Sequence, residues 1–437
     1  MAVLKNKYLI LGTVLFLLLL GSLLSIDEEL KPTTQEWLSV FEQKIDDDNN
    51  ASLRLLSLGK QDSVLFESIK DTYNKKLESF RFDGVLVHDK PMKYPNVLQF
   101  EAFLESPLFC DFNQDDCFSK LDEESEYLNI VITEFQPELT DFMSLDEVEN
   151  FEALNPFVAE LKLEDFFFLF KLKGTEIYFD ITNGESEAAA EELKKLIRIN
   201  RKFFAQSNDL LTKVSFSVNT ENIFQPLLLL LKNEGYATQQ IFDDVLSPLS
   251  MEEISANKIQ IRSFAKNARL IKAGLAAREQ NNAGSFSSQF WNSLVYKENM
   301  TLNDMFDEYQ AILLPAYVNK PSLLAFSKNI DREIEAKSAL QVERPILYRF
   351  KNITNVVGAS LKDVIMPRQV NLYESIAGLD TRMQLLRLIL NSQTGELAGY
   401  MEQNEYANYY TGEKPFLFEG KACHKLNNEN ICVTAKE

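Results

Sequence analysis

The sequence predicts a mainly α-helical protein: a bundle-like or helical-array body behind one N-terminal transmembrane helix, with a minor β-hairpin. Three observations point there. Only 15 Gly and 13 Pro occur in 437 residues, beside 32 Phe, which favours long regular elements over a loop-rich β design. Residues 185–204 are rich in Ala and Glu first and carry Lys194, Lys195, Arg198, Arg201 and Lys202 late, the order that the helix dipole favours. The stretch Tyr8 to Ser25, YLILGTVLFLLLLGSLLS, holds eighteen residues without a charge.

Eighteen residues at 1.5 Å each give a helix of about 27 Å, close to the roughly 30 Å hydrocarbon core of a bilayer. Lys5 and Lys7 precede the stretch and Asp27, Glu28 and Glu29 follow it, which places residues 1–7 in the cytoplasm and the body outside. A secretory signal usually has a shorter apolar core and an A-x-A-like site, whereas here only Leu23-Leu24-Ser25 is available. The sequence thus favours a retained anchor over a cleaved leader. No cysteine follows to carry a lipid, and Pro226-LLLLL-Lys232 is too short to span.

Helix is expected over 31–50, where Trp37, Leu38, Phe41 and Ile45 recur at helical spacing after Pro32, and again over 51–58 and 64–80 around Gly59. Residues 83–95, with Gly84, His88, Pro91 and Pro95, predict a loop. Residues 127–135, YLNIVITEF, fit a strand or a buried helical turn equally well. Residues 141–164 predict an amphipathic helix broken at Pro156, and four Phe crowd into 166–170. Between Gly174 and Gly184, alternating β-branched and aromatic residues predict the hairpin strand. Helices follow at 185–204, 210–218, 223–231 and 239–246, then one long or two short ones over 251–279. Asn281-Asn-Ala-Gly-Ser285 reads as a linker, so the exported part divides into 26–280, a linker at 281–288, and 289–437. In the last part 302–314, 321–339 and 379–391 are expected to be helical, and 400–437 to be a tail of turns and short strands.

The net charge of −20 is concentrated between Glu101 and Glu192, where 25 Asp and Glu meet 4 Lys. That sign disfavours nucleic acid and anionic membrane surfaces as partners. The four cysteines fall as two local pairs, Cys110 with Cys117 and Cys423 with Cys432, expected to be disulfides in an oxidising compartment. With only His88 and His424, a zinc site is a poor fit, and no phosphate loop, dinucleotide fingerprint or nucleophile elbow is present.

Calcium is the one cation the pattern could serve. Asp111-Phe-Asn113-Gln-Asp115 with Ser119 and Asp122 sets oxygen side chains at positions 1, 3, 5, 9 and 12 of an EF-hand loop, making Asp111, Asn113, Asp115 and Asp122 the candidate ligands. Asp116 stands where the turn wants Gly, and Asp122 replaces a longer Glu; a disulfide-bridged acidic surface turn is the plainer reading. Carboxylate pairs such as Asp115-Asp116 and Glu123-Glu124 could serve acid catalysis if a cleft held them, but read first as a solvated face. The aromatic clusters at 166–170 and 286–291 read as core or as anchors for a partner.

Several stretches together carry a resemblance: NNASLRLLSLG at 49–59, the pair Cys110 and Cys117, LIRINRKFFAQSNDLLTKV at 196–214, FWNSLVY at 290–296, NVVGASL at 355–361 with LDTRMQLLRLIL after it, and YYTGEKPFLF at 409–418. In these the chain resembles a family of uncharacterised bacterial proteins with a single N-terminal transmembrane helix. The last stretch is similar to an Asp-Pro-x-x-Gly-x-Pro-aromatic turn of exported bacterial families, with Asn408-Tyr409 departing from Asp-Pro. The resemblance implies a bacterial inner-membrane protein with a helical periplasmic body, and it implies no activity. By elimination, a non-enzymatic scaffold, assembly or binding subunit of an envelope complex is expected, without a cofactor and with a protein partner. The competing expectation is an envelope hydrolase that uses acidic residues, assisted by calcium.

Overall fold

The computed structural model describes residues 27–42, 49–59, 63–79, 92–93, 110–114, 116–152, 154–160, 163–207, 210–281, 296–340, 372–392, 396–427 and 429–434. The anchor stretch 8–25, most of the 83–95 loop including His88, Asp115, the linker beyond 281 and the aromatic cluster at 286–291 lie outside them. Among the described residues no helix is long and apolar enough to cross a membrane.

The chain begins along the body with α1 (Pro32–Leu38), started by a proline whose fixed φ suits a first helical turn. Short α2 (Ala51–Leu55) is capped by the Asn50 side chain, which accepts from the Leu53 N–H. Then come α3 (Ser63–Ser79), the two-residue strand β1 (Met92–Lys93), and the acidic group α4 (Cys117–Glu123), α5 (Ser125–Glu134) and α6 (Gln136–Met143). The stretch 127–135 is therefore helix. The helix expected over 141–164 stops at Met143, followed by a 3₁₀ turn to Glu147 and irregular chain. Its carbonyls find partners elsewhere: the Lys202 ammonium donates to Asp146 O and Val148 O, and the Asn50 amide to Glu152 O. A backbone so satisfied from outside has no need of its own ladder. Strand β2 (Ala159–Glu160) pairs in parallel with β1.

The expected strand at 174–184 is instead the second half of helix α7 (Leu163–Thr182). Both bracketing glycines are helical devices. A Cβ on Gly174 would stand 2.9 Å from Ile223 and 3.3 Å from Phe112, so the glycine is a notch for close packing. Gly184, at φ +86°, ends the helix in the left-handed conformation, its N–H and that of Glu185 returning to Ile181 and Asp180 carbonyls. Alternation of bulky residues failed as a strand signal because α7 is buried nearly all round, with Phe168, Phe170, Leu172 and Ile177 each fully covered.

Helix α8 (Ser186–Ala205) packs antiparallel on α7 and buries Leu193, Leu196, Ile197 and Phe204 at helical spacing. Helix α9 (Leu210–Asn219) runs through a π-helical turn, Thr220–Phe224, into α10 (Gln225–Asn233). Pro226 explains the widening, since its ring cannot donate and would crowd the carbonyl four residues back. Short α11 (Gln239–Phe242) and α12 (Met251–Ile254) lead to α13 (Asn257–Asn281), α14 (Glu298–Ala311), α15 (Lys320–Leu340), α16 (Leu372–Asn391) and α17 (Leu397–Met401). The chain ends in an antiparallel meander of β3 (Phe416–Phe418), β4 (Lys421–Leu426) and β5 (Glu429–Thr434).

Helix α16 is the centre. It touches α9, α10, α11, α12, α15, α17, β4 and β5, and all but a few of its residues are buried. One continuous hydrophobic core, from Leu38 to Val433, joins residues on both sides of 281–288. The Phe-rich stretch belongs to it, with Phe170 edge-on to Phe142 at 5.1 Å and Phe168 to Phe135 at 5.1 Å.

Candidate functional site

Where β4 and β5 lie across α16, a groove of about 410 Å³ opens between the hairpin, α16, the end of α9 and α15. Its position follows from strand alternation. His424, Leu426, Ile431 and Val433 share the face turned to the helix, while Cys423 and Cys432 stand directly opposite each other on the other face, Cα atoms 4.1 Å apart, and close a disulfide. The staple fixes the hairpin as one wall.

The groove walls carry paired charges. On one side the Arg382 guanidinium donates to Gln225 Oε1 and Cys432 O and forms an ion pair of 3.0 Å with Glu221. The bond to Cys432 O also covers the outer edge of β5, which would otherwise offer unpaired backbone groups. On the other side Lys328 donates to Asn427 Oδ1 at 3.1 Å, and the Asn427 amide donates to Glu374 Oε1 at 2.8 Å. Asn427 sits at φ +54° in the hairpin turn, a conformation that Asn tolerates better than most residues. Burial lowers the Arg382 pKa, with Glu221 opposing the shift. Arg382 with Glu221 and Lys328 with Glu374 thus set a cation and an anion on each wall of the groove.

Behind the groove the opposite face of α16 is locked. Asp380 is fully buried and accepts from the Leu249 N–H at 2.8 Å, the Lys320 ammonium at 2.6 Å and the Tyr410 hydroxyl at 2.8 Å. The neighbouring Thr381 hydroxyl accepts from the Asn408 amide. Asn408 in turn accepts from the Tyr410 and Thr411 N–H groups, and Gly412 closes the turn at φ +71°. Burial first, then Asp380, raises the Tyr410 pKa well above the ordinary tyrosine range. Two of the stretches that carry the sequence resemblance, 379–390 and 409–418, therefore meet here.

A second polar lock holds α8 and α9 to the 245–255 segment. Arg201 grips Glu253 through Nε at 2.6 Å and Nη2 at 3.0 Å and donates to Ser247 O and Pro248 O. Lys213 is almost fully buried and donates to Phe204 O and Glu253 O, and burial pushes its pKa down to about 7 against the pull of Glu253.

The calcium residues go separate ways. Asp111 turns its carboxylate onto the Asn113 N–H, and Asn113 donates its amide to Glu221 O at 2.6 Å. Asp122, on α4, accepts from the Tyr178 hydroxyl at 2.9 Å, which with burial raises that phenol. Asp115 lies outside the described residues. Among the described residues no three His, Cys, Asp or Glu side chains come together to hold a metal. Replacing Asp122 by Asn is accordingly expected to cost about 1 kcal/mol through the weakened Tyr178 bond. Urea unfolding should show the same loss with calcium and with a chelator; stabilisation of the parent chain alone by calcium would restore the calcium reading.

The Cys110–Cys117 pair is bridged, with Cα atoms 5.4 Å apart, and seats the acidic loop over α7. There Lys171 lies 3.4 Å over the Phe112 ring, and burial takes its pKa to about 7 against the pull of Asp111. Among the carboxylates of the acidic segment, Asp180 is pushed up to about 6, by burial and then by Glu176. Glu176 and Glu192 are engaged with Lys173.

Sequence reasoning missed Arg382, Asp380, Lys320 and Lys328 as site residues. The available signal was Asp380-Thr-Arg382 inside an otherwise apolar helical run, where three polar residues on different faces need partners. A comparison with protein families, curated proteins and solved structures finds no match to this chain.

Proposed function

We propose that the chain is a bacterial envelope protein, anchored by 8–25, whose periplasmic body is a binding or assembly subunit that holds a partner polypeptide in the groove beside the stapled hairpin. The groove carries this reading: a concave surface with the Arg382–Glu221 ion pair on one wall and Lys328 and Glu374 bridged by Asn427 on the other suits a polar segment presenting both charges. Both cysteine pairs being bridged supports an oxidising compartment, and the apolar stretch with its flanking charges supports the anchor.

The test reverses one wall. Lys328→Glu and Glu374→Lys, singly and together, are compared with the parent chain in affinity isolation from detergent-solubilised membranes. Each single variant is expected to lose a stoichiometric partner at least tenfold while unfolding at the parent's midpoint, and the double variant to recover part of the binding. Purification of the parent chain alone, together with hydrolysis in a substrate panel, would overturn the binding role in favour of an enzyme.

A further inference from the structure

The chain directly after the apolar stretch is fixed on the body rather than free. Asp27 accepts from the Asn299 and Met300 N–H groups at 2.7 and 3.1 Å, so its carboxylate serves the N-terminus of α14. The Asn299 amide donates to Glu28 O and the Asn303 amide to Glu29 O, while Asn303 Oδ1 accepts from Lys31 N–H and the Thr34 hydroxyl. Asn303 is itself buried. Trp37 then locks α1 edge-on against Phe264 of α13 and Phe306 of α14.

Only Ile26 separates Ser25 from Asp27 in the sequence, so two residues of chain can carry the end of the apolar stretch at most about 7 Å from the Asp27 backbone. The headgroup layer is about 5–7 Å deep on each side of the hydrocarbon. A stretch that spans to Ser25 therefore brings Asp27, and with it the N-terminus of α14, into that layer.

Helix α13 extends the same end. It runs antiparallel to α14, with Asn257 paired to Leu314 at one end and Lys272 near Glu298 at 3.9 Å at the other. From Lys272 it continues nine residues to Asn281, about 13 Å past the start of α14, the end of that helix which Asp27 caps.

Resting on the anchor reading, we infer that the body is docked without a swivel: the end formed by Asp27, the N-terminus of α14 and the last turns of α13 sits directly on the headgroups of a bilayer. The tether, and not charge, sets this contact. Among the described residues, Asp27, Glu28, Glu29 and Glu298 share the end with Lys31, Lys272 and Lys297, and the last turns of α13 add Arg278 and Glu279 in sequence, which leaves no cationic excess for anionic lipid.

All four cysteines are in disulfides, so one introduced thiol can be labelled alone. Glu29→Cys marks the docked end at an exposed position, and Tyr317→Cys, 85 % exposed beyond the far end of α14, lies about 20 Å away along the helix. The full chain carrying a fluorophore at either position is reconstituted into phosphatidylcholine vesicles containing nitroxide-headgroup lipid. The expected result is sedimentation with vesicles after an alkaline wash, with quenching several-fold stronger at 29 than at 317 and unchanged by high salt. A ten-residue Gly-Ser insertion between Ile26 and Asp27, which spans roughly 17 Å on average, should weaken quenching at 29 without releasing the protein. Equal quenching at both positions on sedimenting protein overturns the docking and leaves the anchor standing. Failure to sediment overturns the anchor itself, and the docking with it.

Discussion

Replacing Asp380 by alanine lowers the stability of the chain by about 3–5 kcal/mol, the range for breaking a buried, hydrogen-bonded ion pair from one side. The size follows from what is left behind. Asp380 is fully buried and receives three donors: the Leu249 N–H, the Lys320 ammonium and the Tyr410 hydroxyl. Removing the carboxylate orphans two neutral donors and strands an ammonium whose side chain is 18 % exposed. Asp380→Asn keeps one acceptor oxygen but not the charge, so it falls between parent and alanine. Tyr410→Phe, which deletes one donor and leaves the carboxylate two partners, costs about 1 kcal/mol. Combining Asp380→Ala with Lys320→Met should recover more than 1 kcal/mol of the loss, because the stranded charge goes with it. Urea unfolding of the five chains measures each difference. A loss below 1 kcal/mol for Asp380→Ala would show that water reaches the pocket in the folded protein.

The same cluster shows where the sequence was readable and where it was not. Helices with a one-sided apolar stripe, such as α8 with Leu193, Leu196, Ile197 and Phe204, lie where periodicity placed them, within a residue at each end. Helix α7 did not, since a segment buried on all sides has no stripe to read, and its glycines serve packing and capping instead of turns. The two disulfides were legible from spacing alone, because seven and nine residues close a short loop wherever it folds. The groove was not legible. Glu221, Lys328, Glu374 and Arg382 come from α15, α16 and the π-turn, and their meeting depends on how a hairpin some fifty residues further on lands across α16. The surroundings of the calcium candidates were equally illegible: spacing states which oxygens are near in sequence, while Tyr178 and Glu221, far along the chain, decide what Asp122 and Asn113 bond to.

Between pH 6.5 and pH 4, His424 alone removes about 3 kcal/mol of stability. The imidazole is fully covered on the inner face of β4, and neither ring nitrogen makes a hydrogen bond of normal geometry among the described residues. Burial pushes its pKa down to about 4, with only a partial opposing pull from the Tyr406 backbone. In the unfolded chain the ring takes up its proton near the ordinary value of 6.5. Across that window the unfolded state binds more protons, so folding is favoured fully above 6.5 and progressively less as the pH falls, levelling below 4. Asp180 acts in the opposite sense: raised to about 6 in the folded chain, it adds stability as the pH falls below that value, which flattens the total slope. The difference between the parent and His424→Leu separates the two, since Asp180 is common to both. Leucine fits a site lined by Leu426, Ile431 and the apolar face of α16, and at pH 7 its stability should lie within about 1 kcal/mol of the parent. At pH 4.5 the variant should be the more stable by about 2–3 kcal/mol in urea unfolding. Parallel curves for the two chains from pH 7 to 4.5 would mean that the ring accepts its proton in the folded state, and the hairpin must then open on α16 to admit water beside the groove.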